Sequence, residues 1–588
     1  MLPRFKYYDL QGLTPEEKHA EQKKRWLTRQ MQDPEKAEKI RAKGRTNKQA
    51  QCQRAKLLKN NLDQGAAPPR FRRQRPLEAL CVQHVSHPIP FNDHIIDPVL
   101  HNVPPPRQTA DAVVMTDPPP QHLADATRHL SPPDLDLISD ILGIQVLQQS
   151  GSVTWADGRR TVLPCIMSRG IDICEDNDAA MVRFLSEFLE SKPTSDNVAH
   201  IEHNGMSRGL LQQAISEALR HNKPVLIHGS NINDAPLLDA EYLDNNFGIS
   251  PLMRVTIHAF PPDVTKRVRD FTHPHKTGTI QQFLNDIDNP SKIQCILDLP
   301  LSHMGLPQEL HLLDHGLIYG WNQTTVDCPV RSGKVHPDNF TTKSWALLHH
   351  AVFVTYPHHD ADGAVMFVRI KIGIKFWVVF CPIHKLSHTA LQKGQMLFAD
   401  FAKNWEEIKL TWRAEVITLL EGDLLFQPAG QVHAVYTPKK SFVTGGKFFN
   451  YGSLHLTEIS RYINAKKVHF LTNQVHESAL ETFQRMTIAL PRLSPSIELY
   501  HRAVVGLCLM VINHHKYIAS NNDHGYIIAS SESTERAVSI ATAILRQFYK
   551  DMATAQRVYR SGDQSDPGDL ISREDLSTCL RSFSSFAT

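Results

Sequence analysis

Apolar residues recur at helical spacing along the first half of the chain: Leu135, Leu137, Ile138, Ile141 and Leu142, then Met181, Phe184, Leu185 and Phe188 within 178–190, then Leu210, Leu211, Ile215 and Leu219 within 207–221. The first set follows Ser131-Pro132-Pro133-Asp134, a helix-start signature, so folded structure is expected from about residue 131. After the third comes Pro224-Val-Leu-Ile-His-Gly229, a short buried-strand pattern closed by glycine. Strands are expected at about 253–260 and 293–301 with a helix at about 279–287 between them, and from 345 to 452 strand patterns dominate, at 364–372, 375–380, 415–420 and 424–427. Beyond about 456 the period turns helical again through 477–489, 495–516 and 535–558, and no internal repeat is found.

The pattern divides the chain. Residues 1–76 hold 20 Lys and Arg against 8 Asp and Glu, a charge of +12, while the whole chain carries +3. The remaining residues therefore carry −9. Residues 1–76 read as a basic, disordered arm whose clusters Lys23-Lys24-Arg25 and Arg70-Phe71-Arg72-Arg73-Gln74-Arg75 suit nuclear import or non-specific nucleic-acid contact, with a solvated charge run as the plain alternative. Residues 77–130, with Pro104-Pro105-Pro106 and Pro118-Pro119-Pro120, read as an extended linker. Residues 131–455 are expected to form the catalytic domain, 456–558 a helical domain, and 559–588 a loosely ordered tail.

Nine scattered cysteines with no Cys-x-x-Cys pair exclude a disulfide framework, a zinc ribbon or a zinc-based reader module, and fit a reducing compartment. No stretch of 18 apolar residues and no apolar segment behind Arg4 and Lys6 is present, so neither a membrane span nor a signal peptide is expected.

Candidate chemistry centres on Thr355-Tyr-Pro-His-His-Asp-Ala-Asp-Gly363, which runs into a strand. Side chains alternate along a strand, so His358 and Asp360 are expected to point to one side and share a metal. A third ligand, His433, follows Asp360 by 73 residues, at the end of Glu421-Gly-Asp-Leu-Leu-Phe-Gln-Pro-Ala-Gly-Gln-Val-His433. Two imidazoles and one carboxylate form the facial triad of non-haem Fe(II) oxygenases. The same set could hold zinc, although no water-activating base is placed by the sequence. A shifted pair, His359 with Asp362, would fall on opposite strand faces.

Four linked pieces carry a resemblance: Thr355 three residues before His358; His358-His359-Asp360; Gly373-Ile-Lys375, with Lys375 seventeen after His358; and Gly422-Asp423 through His433-Ala-Val-Tyr-Thr-Pro438 to Gly445-Gly446. Together they resemble the Jumonji-C domain of 2-oxoglutarate-dependent oxygenases and, within it, the lysine demethylases. The resemblance implies a mainly β catalytic core, a double-stranded β-helix of jelly-roll or cupin type, with flanking α-helices and a C-terminal helical domain. It implies Fe(II) on His358, Asp360 and His433, with 2-oxoglutarate and O2 as co-substrates. Lys375 and Thr355 would meet the far carboxylate of 2-oxoglutarate.

The implied activity is demethylation of N-methyl-lysine on a histone or other methylated protein, in the nucleus or otherwise the cytoplasm. A hydroxylase using the same site and a catalytically silent scaffold are the alternatives. Two departures bear on the substrate. Lys447 follows Gly445-Gly446 where the demethylases most often carry asparagine, and Gln294 or Cys295 falls near where they use an asparagine beside the co-substrate. Trp345, Trp377, Trp405 and Trp412 are candidates for a methyl-ammonium cage or for packing, and His273-Pro-His275 and His349-His350 read as incidental.

Overall fold

The computed structural model describes residues 151–581 and 583, apart from 169, 203–204, 230–235, 260–274, 302–305, 329–342, 385–386, 467–477, 519–530 and 550. The basic arm, the proline-rich linker, the helix expected after Ser131 and His273 lie outside the described residues.

In chain order the strands are β1 Ser152–Thr154, β2 Arg160–Val162, β3 Met167–Ser168, β4 Ile171–Asp172, β5 Leu189–Glu190, β6 Ala199–Ile201, β7 Val225–Ile227, β8 Arg254–Ala259, β9 His275–Thr279 and β10 Gln294–Pro300. They continue as β11 Trp345–His349, β12 Phe353–His358, β13 Val365–Ile372, β14 Lys375–Pro382, β15 Trp412–Leu419, β16 Leu424–Gln427, β17 Val432–Thr437 and β18 Ser441–Phe448. β1–β2 and β3–β4 form separate two-stranded sheets; a larger sheet runs β6-β7-β16-β13-β18-β11-β10-β8-β9 and a smaller one β12-β17-β14-β15-β5. Among the described strands, β6–β7 and β15–β5 pair in parallel and the rest antiparallel.

The two large sheets meet through one apolar layer. Trp345, Met366, Val368, Ile370, Leu425 and Val443 come from the larger sheet, and Trp377, Val379, Ile417, Leu419 and Val435 from the smaller. The alternation is strict: on β14, Trp377 and Val379 face this layer, whereas Phe376, Val378 and Phe380 pack outward against Trp155, Phe184 and Phe398. Each large side chain so buried contributes about 1.5–3 kcal/mol. The result is a β-rich core flanked by helices.

The Gly445-Gly446 pair has a steric reason. A Cβ on Gly445 would stand 2.5 Å from the Trp345 ring, and one on Gly446 would stand 2.1 Å from the Lys343 carbonyl oxygen. Only glycine lets β18 lie this close to its neighbours.

Helices follow the expected stripes. Ser207 caps helix Arg208–Arg220, whose Leu211, Ile215 and Leu219 are buried. A Thr279–Gln282 capping box opens helix Ile280–Asn285. Two helices that the strand-rich pattern did not announce, His388–Gln395 and Phe401–Thr411, lie between β14 and β15. Ser387 caps the first, while Phe398, Phe401 and Ile408 bury against the smaller sheet.

Beyond β18, helices Leu454–Lys466, Ala479–Ala489, His501–Ile512, Ser531–Phe548 and Met552–Ser561 share one apolar cluster. The pattern expected as one helix over 535–558 is split in two, because the Asp551 side chain caps a new start by accepting from the Thr554 amide. The tail expected to be loose holds helix Arg573–Leu580, capped by Ser572 and anchored through Leu576 and Leu580. No helix among the described residues is long and apolar enough to cross a membrane.

Candidate metal centre

β12 pairs with β17 so that Thr355 faces Val435 and His358 faces His433. Two residues lie between Thr355 and His358 but one between His433 and Val435, so β12 carries one extra residue, a β-bulge. The bulge matters, because side chains three apart on a regular strand point to opposite faces. Here both Thr355 and His358 turn to the face that carries His433, Val435, Trp377 and Lys375. The His358 and His433 rings lie 4.2 Å apart, centre to centre.

Strand alternation does not place Asp360, and that part of the expectation is corrected. β12 ends at His358, and Asp360, at φ −67° and ψ 158°, stands at the start of the short turn Ala361–Gly363. The turn is tight, with Asp362 at φ 58° and Gly363 at φ 62°. Electrostatic coupling nevertheless links the carboxylate to the two imidazoles, and its Oδ1 lies 3.6 Å from Lys447 Nζ. The shifted pair serves structure instead. His359 is fully buried with Nδ1 3.0 Å from the Asp360 carbonyl oxygen, and Asp362 forms a buried ion pair of 2.9 Å with Arg461.

The surroundings set protonation. Burial lowers His358 below the usual histidine range and pushes His433 down to about 3, so both imidazoles are neutral near pH 7. Burial alone would raise Asp360, but Lys447 first, and then His433 and His358, hold its carboxyl below the usual range. Asp360 Oδ2 is buried without a hydrogen-bond partner, and Oδ1 lies 3.6 Å from Lys447 Nζ.

Tautomers decide which nitrogen can ligate. His358 Nδ1 lies 2.8 Å from the Tyr356 carbonyl, so it donates and leaves Nε2 with its lone pair. His433 Nδ1 stands 3.1 Å from the Gln431 carbonyl and 2.7 Å from Gln427 Nε2. Gln427 is oriented by Trp377, whose indole donates to Oε1 at 2.8 Å and stacks on His433 with centres 4.9 Å apart and planes 8° apart. As placed, the Gln427 amide donates to Nδ1; ligation through Nε2 uses the other tautomer, with Nδ1–H donating to the Gln431 carbonyl. Among the described residues no three His, Cys, Asp or Glu side chains stand in a ready metal-binding array. The donors at this face fit a divalent ion in chemistry, as two neutral imidazoles and an anionic carboxylate with a bare oxygen; their final closure does not exist in this arrangement.

Lys375 starts β14 on the same face. It is only 1% exposed, its Nζ donates to Thr437 Oγ1 at 2.7 Å, and burial lowers it to about 7, with Cys295 acting in the opposite sense. Burying an ammonium carries a desolvation cost that one hydroxyl acceptor offsets only in part. Thr355 is half-buried, one rung along β17 from Thr437.

Of the four tryptophans only Trp377 touches the site, by stacking on His433; Trp345 and Trp412 are core residues, and Trp405 lies beside Lys409. They form no cage. His350 is structural, with its ring nitrogens 2.8 Å from the Lys292 carbonyl and 3.3 Å from the Phe283 carbonyl. Sequence reasoning missed Thr437, Gln427 and Gln431. Thr437 alone had a signal, its alternation with His433 and Val435.

No protein-family model matches the chain. Three fungal proteins, each called JmjC domain-containing histone demethylation protein 1, are similar to it. The Debaryomyces hansenii protein is 28% identical over 136 residues, 22% of this chain and 26% of that protein. The Kluyveromyces lactis protein is 29% identical over 118 residues (20% and 22%), and the Cryptococcus neoformans protein 23% identical over 135 residues (22% and 14%). The match spans about a quarter or less of each relative's length. These similarities support a JmjC-type, lysine-demethylase-like protein.

Proposed function

We propose that the chain is an Fe(II)- and 2-oxoglutarate-dependent oxygenase that demethylates N-methyl-lysine on a histone or other protein, built on a double-stranded β-helix. The observation that carries this reading is the bulged pairing that sets His358 opposite His433, with Asp360 two residues beyond at the start of the next turn. The names of the three fungal relatives supply the histone and, with the basic arm, a nuclear setting.

His358 Nε2, His433 Nε2 and Asp360 Oδ2 would hold the iron, and Lys375 with Thr437 would receive the remote carboxylate of 2-oxoglutarate. Thr355 stands ready to add a hydrogen bond to the same group. When bound, iron with 2-oxoglutarate and O2 supplies oxidation of a C–H bond, yielding succinate and CO2. Trp377, Val379 and Val435 line the histidines on the inner side with apolar surface. A hydroxylated N-methyl group loses formaldehyde and leaves the amine.

Lys447 favours a second reading. Its ammonium at Asp360 repels a cationic methyl-lysine, which suits a hydroxylase acting on a neutral side chain. Incubation with 2-oxoglutarate and a panel of methylated and unmethylated peptides separates the two: formaldehyde marks demethylation, and a peptide mass gain of one oxygen marks hydroxylation. Absence of succinate under all conditions would defeat both.

A further inference from the structure

We propose that the Lys447 ammonium is a built-in counter-cation of Asp360 that holds the carboxylate in the resting chain and thereby sets the affinity of this site for a divalent metal. The inference rests on the metal reading above and adds to it a residue that acts against the metal.

Lys447 sits on β18 opposite Met366 of β13, and Met366 belongs to the layer between the two large sheets. Directly paired residues share a face, so Lys447 points from the larger sheet into the space whose opposite wall carries His358 and His433. It is only 6% exposed, and the carboxylate it approaches is that of Asp360, at 3.6 Å. That separation is too long for a direct hydrogen bond, so the pair is held by charge alone. The second Asp360 oxygen is buried and bare. The Asp360 carboxylate thus faces the Lys447 ammonium.

A dication entering beside Asp360 gains the same carboxylate but meets a fixed positive charge a few ångströms away, in a setting where such repulsion is weakly screened. Lys447 therefore has to withdraw from Asp360 for the metal to bind. Removing the ammonium exchanges the two states: the metal-free chain keeps a buried carboxylate without a counter-charge, and the metal-loaded chain loses a repulsion.

The test is titration of the full chain with Co(II), followed by its visible absorption, together with thermal unfolding with and without the ion. Lys447→Asn and Lys447→Met are expected to bind Co(II) at least about tenfold more tightly than the wild type and to unfold at lower temperature without metal, whereas Lys447→Arg keeps the weak binding. The methionine variant, close to lysine in volume, serves if the asparagine variant fails to fold. Wild-type affinity in both neutral variants would overturn the counter-cation role while sparing the metal site. Absence of Co(II) binding in the wild type and in both neutral variants would overturn the inference and the metal reading together.

Discussion

His358 lies opposite His433 across the β12–β17 pair, their ring centres 4.2 Å apart, because β12 carries one residue more than its partner between this rung and Thr355–Val435. His433 is buried and His358 partly buried, and desolvation lowers both below the usual histidine range. If they and Asp360 hold iron, a three-ligand site leaves no substitute for either imidazole. His358→Ala and His433→Ala are each expected to abolish succinate formation from 2-oxoglutarate while leaving the circular-dichroism spectrum unchanged. Wild-type turnover in either variant removes the metal assignment.

Gln427 decides the His433 tautomer. A carboxylate in place of its amide would accept from the Trp377 indole and from His433 Nδ1–H, fixing Nε2 as the free lone pair. Such outer partners change metal affinity by about 10- to 100-fold. Gln427→Glu is therefore expected to tighten Co(II) binding by about tenfold and, through an added buried charge, to lower the unfolding temperature of the metal-free chain. Weaker Co(II) binding would show that the existing amide contact is the productive one.

Lys375 links co-substrate binding to pH. Burial lowers it from its ordinary 10.5 to about 7, so it is charged below that pH and neutral above. Affinity for 2-oxoglutarate is expected to fall as pH rises above about 7, and Lys375→Met to weaken it by about 10- to 150-fold, the worth of a charge-assisted contact of ~1.5–3 kcal/mol. Between about 7 and 10.5 the unfolded chain binds the extra proton, so wild-type stability rises with pH by up to ~1.4 kcal/mol per unit. The methionine variant should lack that slope. Isothermal titration and urea unfolding across pH 6–9 check both limbs, where pH spans about 3 units around the lysine's midpoint.

Glu458 ties the helical region together. It is fully buried, accepts from Tyr517 at 2.6 Å through Oε1 and lies 3.2 Å from His388 Nε2 through Oε2. Glu458→Ala strands both partners, and breaking a buried pair of this kind costs about 3–5 kcal/mol. Urea unfolding should report that loss, and a change below about 1 kcal/mol would mean the partners find water instead.

The basic arm makes a separate prediction from charge alone. With +12 over residues 1–76, the full chain is expected to bind duplex nucleic acid without sequence preference, and affinity should fall steeply with salt. A protein starting near residue 130 should lose that binding while keeping 2-oxoglutarate turnover. Equal binding by the two over a salt series would place the contact on the body.

Local pattern was enough to read most elements of the core and to nominate candidate residues for its site. Alternation marked β13, a strand pattern marked β16, helical spacing marked Arg208–Arg220, and the strand register brings His358 opposite His433 with β14, which begins at Lys375, alongside. The strand and helix patterns depend on neighbours in sequence, where the period of 2 or 3.6 residues acts directly. What pairs across the sheets could not be read this way. The β12 bulge turns Thr355 to the side of His358, and β17 supplies Thr437 to Lys375. β18 brings Lys447 from the facing sheet to Asp360, and Asp360 itself is placed by a turn rather than by its strand. Register, bulges and the approach of two sheets are fixed by packing between segments tens of residues apart, so only the tertiary structure decides which charge meets which.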